Sequence, residues 1–252
     1  MQSASDRSGF LPTEMLRKAL SIGKTGFSQD GNGRKHMKIK GAIFDMDGTL
    51  LDSMHVWIDI AGKYLTSKNI NLTPNMENEI AGLMLKDLAE YFIKHFGFNM
   101  TVEEIIDDVN RLVENEYFYN VQIKPGTEDL LKELKRRNIP LCVATASDRY
   151  LVEAALKRVG IIDYFDKIFT CAEVDANKTS PDIYEHARAF LGTDKNETYV
   201  FEDTYTPIRT AKDAGFPVVA VADKWSTHRR DLIKETADFF FDHPSELNID
   251  AL

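Results

Sequence analysis

Cysteine is nearly missing from this chain. Its 252 residues contain only Cys142 and Cys171, and both sit in or beside apolar runs. That scarcity argues against a disulfide-stapled scaffold or a cysteine-built metal site, and suits reduced core thiols in a reducing compartment. Positive charge is in deficit as well. Lysine and arginine total 31 against 40 aspartates and glutamates, giving a formal net charge of −9 and a pI near 5.2. Such a balance argues against a general nucleic-acid or anionic-membrane binder, which would present a basic face. A small anionic substrate stays compatible, because a metal ion and one lysine reverse the sign locally. No apolar run approaches the length of a membrane span. No basic start followed by an apolar stretch marks a secretory signal, so a cytoplasmic protein is expected. Internal repeats and long low-complexity runs are also absent.

What is present is a chain 43% hydrophobic, long enough for one large domain or two modest ones. Residues 1–36 differ from the rest. Gly, Ser, Asn, Asp and Lys dominate them, and only Leu11 to Leu20, with Thr13 as cap, reads as a short helix. They are expected to be a flexible N-terminal extension outside the fold, with Met37 as an alternative start.

From Ile39 the pattern is strand then helix, repeatedly. An apolar strand, Ile39 to Phe44, runs into Asp45-Met46-Asp47-Gly48. In extended geometry residues i and i+2 project to one side, so Asp45 and Asp47 can face one reacting centre. Gly48 then permits a turn that a Cβ would resist. Ser53 suits a helix N-cap. Residues 54–121 carry helical apolar stripes and no strand-like alternation, which makes them an all-helical insert. Lys124-Pro125-Gly126 closes it. Further strands are expected at 141–144, 167–170, 199–201 and 217–221, with a weak one at 238–241, each preceded by a helix. The fold class is therefore α/β: a Rossmann-like, doubly wound parallel sheet (37–53 and 122–252) with the helical unit inserted. Phe239 to Phe241 are expected on the core rather than at a partner surface.

Ligands in open parallel sheets bind beyond the carboxyl ends of the strands. Those ends carry Asp45 and Asp47, then Thr145-Ala146-Ser147, then Lys178, then Glu202 and Asp203. Each has a plain structural explanation alone: an acidic turn, a satisfied strand end, a surface lysine, a helix cap. Together they make chemical sense as a phosphoryl-transfer site. Clustered carboxylates repel unless a cation is present, and hard oxygen ligands suit Mg²⁺. One carboxylate can be a nucleophile, a second can move protons, and a hydroxyl and a lysine can hold phosphoryl oxygens.

In these four segments the chain resembles the haloacid dehalogenase-like hydrolase superfamily. Asp45-Met46-Asp47-Gly48-Thr49, Thr145, Lys178 and Glu202-Asp203 are similar to its four motifs, and the likeness runs from about Lys38 to the C-terminus. The helical insert resembles the cap of the β-phosphoglucomutase and phosphoglycolate phosphatase subgroup. The resemblance implies Asp45 as nucleophile and metal ligand, and Asp47 as general acid/base whose backbone carbonyl also meets the metal. It implies Thr145, with neighbouring Ala146, and Lys178 as the phosphate grip. Asp203 would bind Mg²⁺ directly and Glu202 less directly. Carbon–halogen cleavage is disfavoured, since dehalogenases lack an acid at the Asp47 position. The expected activity is Mg²⁺-dependent hydrolysis of a small phosphate monoester. The alternative is a sugar-phosphate mutase, and a lesser one is a binding protein that has lost turnover. Against the mutase, Trp57 stands where those enzymes carry a cap His, with His55 two residues earlier. Leu85 stands where they carry an Arg, with Lys86 beside it. His55, Trp57, Met84, Leu85 and Lys86 are the expected substrate-selecting residues at the cap entrance.

Overall fold

The computed structural model describes residues 27–29, 35–37, 39–58, 60–80, 83 and 85–247. The expected helix at Leu11 to Leu20 lies outside these residues, as do Gly82 and Met84. Within the N-terminal extension, β1 (Phe27–Gln29) and β2 (Lys35–Met37) pair antiparallel, with Phe27 opposite Met37. This short ribbon was not among the expected elements.

The first core strand, β3 (Gly41–Phe44), is shorter than the apolar run suggests. The Lys40 N–H leaves the ladder at the Glu197 carbonyl (2.8 Å). After the Asp45–Leu50 turn, β4 (Leu51–Asp52) leads into α1 (Met54–Trp57) and α2 (Ile60–Ser67). Next come α3 (Pro74–Ile80), α4 (Leu85–Phe96) and α5 (Val102–Asn115). A capping box starts α5: Thr101 Oγ1 accepts from the Glu104 N–H (3.1 Å) and Glu104 accepts from the Thr101 N–H (2.8 Å). The helix then widens into a π segment, Glu116–Asn120. β5 (Gln122–Ile123) brings the chain back antiparallel to β4. The helices thus enter and leave the sheet side by side through one two-stranded ribbon.

The remainder alternates as expected: α6 (Thr127–Arg136), β6 (Leu141–Thr145), α7 (Arg149–Arg158) and β7 (Lys167–Thr170). It continues through α8 (Asp182–Leu191), β8 (Thr198–Glu202), α9 (Tyr205–Asp213) and β9 (Val218–Val221). It ends with α10 (Arg230–Thr236) and β10 (Phe239–Phe241). The six core strands form one parallel sheet in the order β10-β9-β8-β3-β6-β7. The chain winds outward from β3 through β6 to β7, then returns to β3's other side at β8. That reversal puts the topological switch point, and hence the ligand crevice, at the carboxyl ends of β3 and β8.

Both faces of the sheet are covered, so its strands are apolar throughout instead of alternating. One face sends Phe44, Val143, Phe201 and Val219 into the core shared with the insert helices, where Phe44 and Phe201 stack at 4.2 Å between centroids. The other face packs Ile43, Cys142, Val200 and Val218 against α8 and α9. Cys142 and Cys171 are free and buried, and burial pushes their thiols up to about 12 and about 11. Phe239 and Phe241 pack on the first face and Phe240 on the second, so β10 is a core edge strand. No described helix is long and apolar enough to cross a membrane.

Candidate active site

Four strand ends deliver their side chains to one place. The Asp45 N–H is held by the Phe201 carbonyl (2.9 Å), which locks the end of β3 against β8. The next residues curl back, with the Gly48 N–H on the Leu51 carbonyl (2.9 Å). Gly48 has φ +83°, and a Cβ there would overlap the Asp203 carboxylate. Glycine is required at this position both for the left-handed turn and for the close approach.

Asp45 is 6% exposed, and the ammonium of Lys178 donates to its Oδ1. Lys178, from the loop between β7 and α8, also donates to Glu202 Oε1 (2.6 Å). The Tyr184 hydroxyl gives that same oxygen a second bond (2.8 Å). Lys178 therefore sits buried between two carboxylates, which hold its pKa above the ordinary lysine value against the opposing effect of burial. Burial pushes the Asp45 carboxyl up to about 8; Lys178 pulls it down, and Glu202 and Asp47 push it further up.

Asp203 lies beside this pair. Single carboxylate oxygens of Asp45, Glu202 and Asp203 fall within 4.8 Å of one another, and all three residues are buried. Among the described residues Asp203 Oδ2 has no hydrogen-bond partner, and Thr49 Oγ1 reaches Oδ1 at only 3.5 Å. Burial, then the neighbouring carboxylates Asp45 and Glu202, raise the Asp203 pKa well above the usual range. A buried oxygen without a donor is costly unless something outside the chain satisfies it. Three clustered carboxylates with one orphan oxygen are a donor set that fits a hard divalent cation.

Asp47 is held differently. Its Oδ1 accepts from Ser53 Oγ (2.6 Å) and the Tyr117 hydroxyl, and its Oδ2 from Ser147 Oγ (2.6 Å). Its carboxylate is therefore not part of the acidic cluster. Ser53 stands at the N-cap of α1 but makes no side-chain cap bond, because its hydroxyl is committed to Asp47. Thr145 is fully buried, and its Oγ1 accepts the Ser147 N–H (3.1 Å), leaving its own proton free to donate.

A cavity of about 310 Å³ opens over these groups, lined by Asp45, Asp47, Thr145, Ala146, Ser147, Lys178, Glu202 and Asp203. Its remaining wall includes Met54, Trp57, Leu83, Leu85 and Pro207. Of the expected substrate-selecting residues, Trp57 and Leu85 line it. His55 does not: it lies two residues before Trp57, about 200° around the helix, and is exposed. Lys86 lines a neighbouring cavity of about 290 Å³ with Asp148 and Asn177. Three contributors escaped the sequence reading: Tyr117, Tyr184 and the hydroxyl of Ser53 in its actual use. Ser147 was visible as a polar residue at a strand end.

Residues 42–221 match the family model described as haloacid dehalogenase-like hydrolase. The chain belongs to the haloacid dehalogenase-like hydrolase family. A probable pseudouridine-5'-phosphatase of Drosophila melanogaster is 28% identical over 213 residues, covering 80% of this chain and 92% of that protein. The (DL)-glycerol-3-phosphatase 2 of Arabidopsis thaliana is 27% identical over 195 residues, covering 73% and 80%. Among solved structures, CbbY of Rhodobacter sphaeroides in complex with xylulose-1,5-bisphosphate shares the fold. It has a TM-score of 0.74 at 24% identity and covers 85% of this chain and 99% of that one. With named phosphatases among its relatives, this hydrolase is an enzyme of the phosphoric monoester hydrolase type.

Proposed function

We propose that this hydrolase cleaves a small phosphate monoester by transferring the phosphoryl group to Asp45. The observation carrying this reading is the single cavity into which Asp45, Asp47, Thr145, Lys178 and Asp203 all project. In the first step Asp45 attacks phosphorus, the ester P–O bond breaks, and Asp47 gives its proton to the departing alkoxide. In the second step Asp47 takes a proton from water, and that water's oxygen attacks phosphorus. Inorganic phosphate leaves and the Asp45 carboxylate is restored. Lys178 and Thr145, with the adjacent Ala146, hold the phosphoryl oxygens as charge shifts onto them. Asp45 and Asp203 would hold Mg²⁺, with Glu202 beside them and the Asp47 carbonyl as a further ligand. The metal supplies charge neutralisation and orientation of the phosphoryl group. The helices of residues 54–121 act as a cap that closes the cavity and selects the alcohol part.

The apolar wall bears on the substrate class. Among the described residues Lys178 is the only cationic side chain lining the cavity, and it is already paired to Asp45 and Glu202. The fit is therefore to a monoester whose alcohol is uncharged and partly apolar, able to lie against Trp57 and Leu85. A mutase must also grip a second phosphate, and Lys86 lies at the neighbouring cavity. The decisive experiment is turnover of a monoester panel containing a nucleoside 5'-phosphate, glycerol 3-phosphate, phosphoglycolate and β-glucose 1-phosphate. Inorganic phosphate is expected from members with neutral leaving groups. Accumulation of glucose 6-phosphate from the last would overturn the choice of phosphatase over mutase.

Metal binding is testable without turnover. Asp45, raised from 3.8 to about 8, keeps a proton in the folded state that the unfolded chain has already lost. By linkage, the metal-free fold loses stability as pH rises through that window. Lys178, raised above 10.5, makes no pH-dependent contribution there. A cation that stabilises the charged form should therefore raise Tm more at pH 8 than at pH 5. At a hundredfold excess over Kd the linkage is about 2.7 kcal/mol, on the order of 5–10 °C for a domain of this size. A thermal melt with Mg²⁺ against EDTA, repeated on Asp203→Asn, checks this. An equal Mg²⁺ shift in that variant would remove Asp203 from the metal site.

A further inference from the structure

The hydroxyls around Asp47 come from the two crossings between sheet and helices and from the core. Ser53 lies just after β4, on the way out; Tyr117 lies in the π segment just before β5, on the way back; Ser147 follows β6. Tyr117 is fully buried, and burial together with Asp47 keeps its phenol protonated. Its oxygen also accepts the indole Nε1–H of Trp57 (2.5 Å), and the two rings meet edge to face with centroids 6.1 Å apart. A hydroxyl that accepts one hydrogen bond becomes a stronger donor in the next. Trp57 in turn lines the substrate cavity. Thus a chain of two hydrogen bonds runs from the cavity wall, through Tyr117, to Oδ1 of Asp47.

The two oxygens of Asp47 are not equivalent in this arrangement. Among the described residues Oδ1 receives two donors, Ser53 and Tyr117, and Tyr117 is held with its proton directed at Asp47 while its oxygen accepts from Trp57. Oδ2 receives, among the described residues, only Ser147, whose hydroxyl can rotate and accept instead. Resting on the phosphatase reading above, we infer that Tyr117, oriented by Trp57, is a positioning residue that pins Asp47 Oδ1 and so reserves Oδ2 for the transferred proton. In the acid form the Oδ2–H bond breaks as the new O–H bond forms on the leaving alkoxide. In the second step Oδ2 takes one proton from the attacking water. Tyr117 exchanges no proton in either step. Its hydroxyl sets the orientation of the carboxyl group that does.

The test uses the leaving group as its probe. A p-nitrophenolate departs without needing a proton, whereas the alkoxide of glycerol 3-phosphate needs one, so a defect in Asp47 is felt mainly by the second. Tyr117→Phe keeps the ring and removes the hydroxyl. Its loss in kcat on the alkyl ester is expected to exceed its loss on p-nitrophenyl phosphate by roughly tenfold. In an Asp47→Asn background that excess should fall to about one, because Tyr117 acts through Asp47. Trp57→Phe, which keeps an aromatic wall and removes the Nε1–H, should show the same excess in smaller measure. This variant serves if Tyr117→Phe fails to fold. Equal losses on both esters in these variants, or an excess that persists with Asp47→Asn, would overturn the proposal. The phosphatase reading would survive that result, provided the wild-type enzyme turns over both esters and Asp45→Asn does not. If the wild-type enzyme hydrolyses neither ester, the underlying reading fails instead, and this inference with it.

Discussion

Replacing Asp45 by asparagine should lower kcat by roughly 10⁴-fold or more while leaving the protein at least as stable. The loss follows from chemistry: the amide is nearly isosteric with the carboxylate but is not a competent nucleophile, and removing an attacking group costs rates of this order. The stability follows from electrostatics. Asp45 is one of three buried acids clustered within a few ångströms, and burial holds its carboxyl up to about 8. Asparagine is neutral at every pH, so it never sets a third charge beside Glu202 and Asp203, and its amide oxygen still accepts from Lys178. Steady-state kinetics and a metal-free thermal melt, run on one preparation, separate the two effects. An active Asp45→Asn enzyme would remove Asp45 from the reaction. An inactive and unfolded one would leave the rate loss without chemical meaning, and would contradict the electrostatic reading of the site.

Lys178→Met should do the opposite to stability and nearly the same to rate. Lys178 is almost fully buried and pairs with Asp45 and with Glu202 at 2.6 Å. Removing one member of a buried ion pair leaves uncompensated charge and typically costs about 3–5 kcal/mol; here it strands Glu202 and takes from Asp45 its ammonium donor. The expected fall in Tm is on the order of 10 °C in EDTA. Turnover should fall as well, since the ammonium that holds the phosphoryl oxygens is gone. The two substitutions should also couple. With Asp45 already neutral, Lys178→Met has less charge to strand, so the double variant should be more stable than the sum of the singles. Additive losses of stability would mean that Lys178 and Asp45 do not interact as the geometry shows.

Much of this site was legible because a parallel sheet imposes a rule on sequence. Apolar runs such as Leu141–Thr145 and Thr198–Glu202 are buried on both faces, so they stand out as unbroken strands. Whatever polar residue ends such a run arrives at the ligand edge. That logic places Asp45, Thr145 and Asp203 together without any contact being known, and Lys178 joins them from the loop that follows β7. It says nothing about groups that reach the site from elsewhere. Tyr117 lies 70 residues from Asp47 in a π segment that no helical periodicity marks, and its neighbours gave no sign that its hydroxyl turns inward. The β4–β5 ribbon was equally hidden, since two-residue strands carry no alternation to read. Ser53 was misjudged for a related reason. A serine before a helix is usually a cap, but a buried carboxylate six residues earlier competes for its proton and wins. His55 shows the limit of alignment by position: one helix face holds Trp57 against the cavity, and a residue two places away must point elsewhere.

The central claim is that Asp45 itself carries the phosphoryl group. Asp47→Asn should slow the water step while still allowing transfer from p-nitrophenyl phosphate, whose leaving group needs no proton. Acid quenching of that variant during turnover, followed by peptide mass spectrometry, should find one phosphoryl group on the peptide containing Asp45, and none when Asp45 is also asparagine. Release of p-nitrophenol with no phosphoryl group on Asp45, or with the group on another residue, would contradict it.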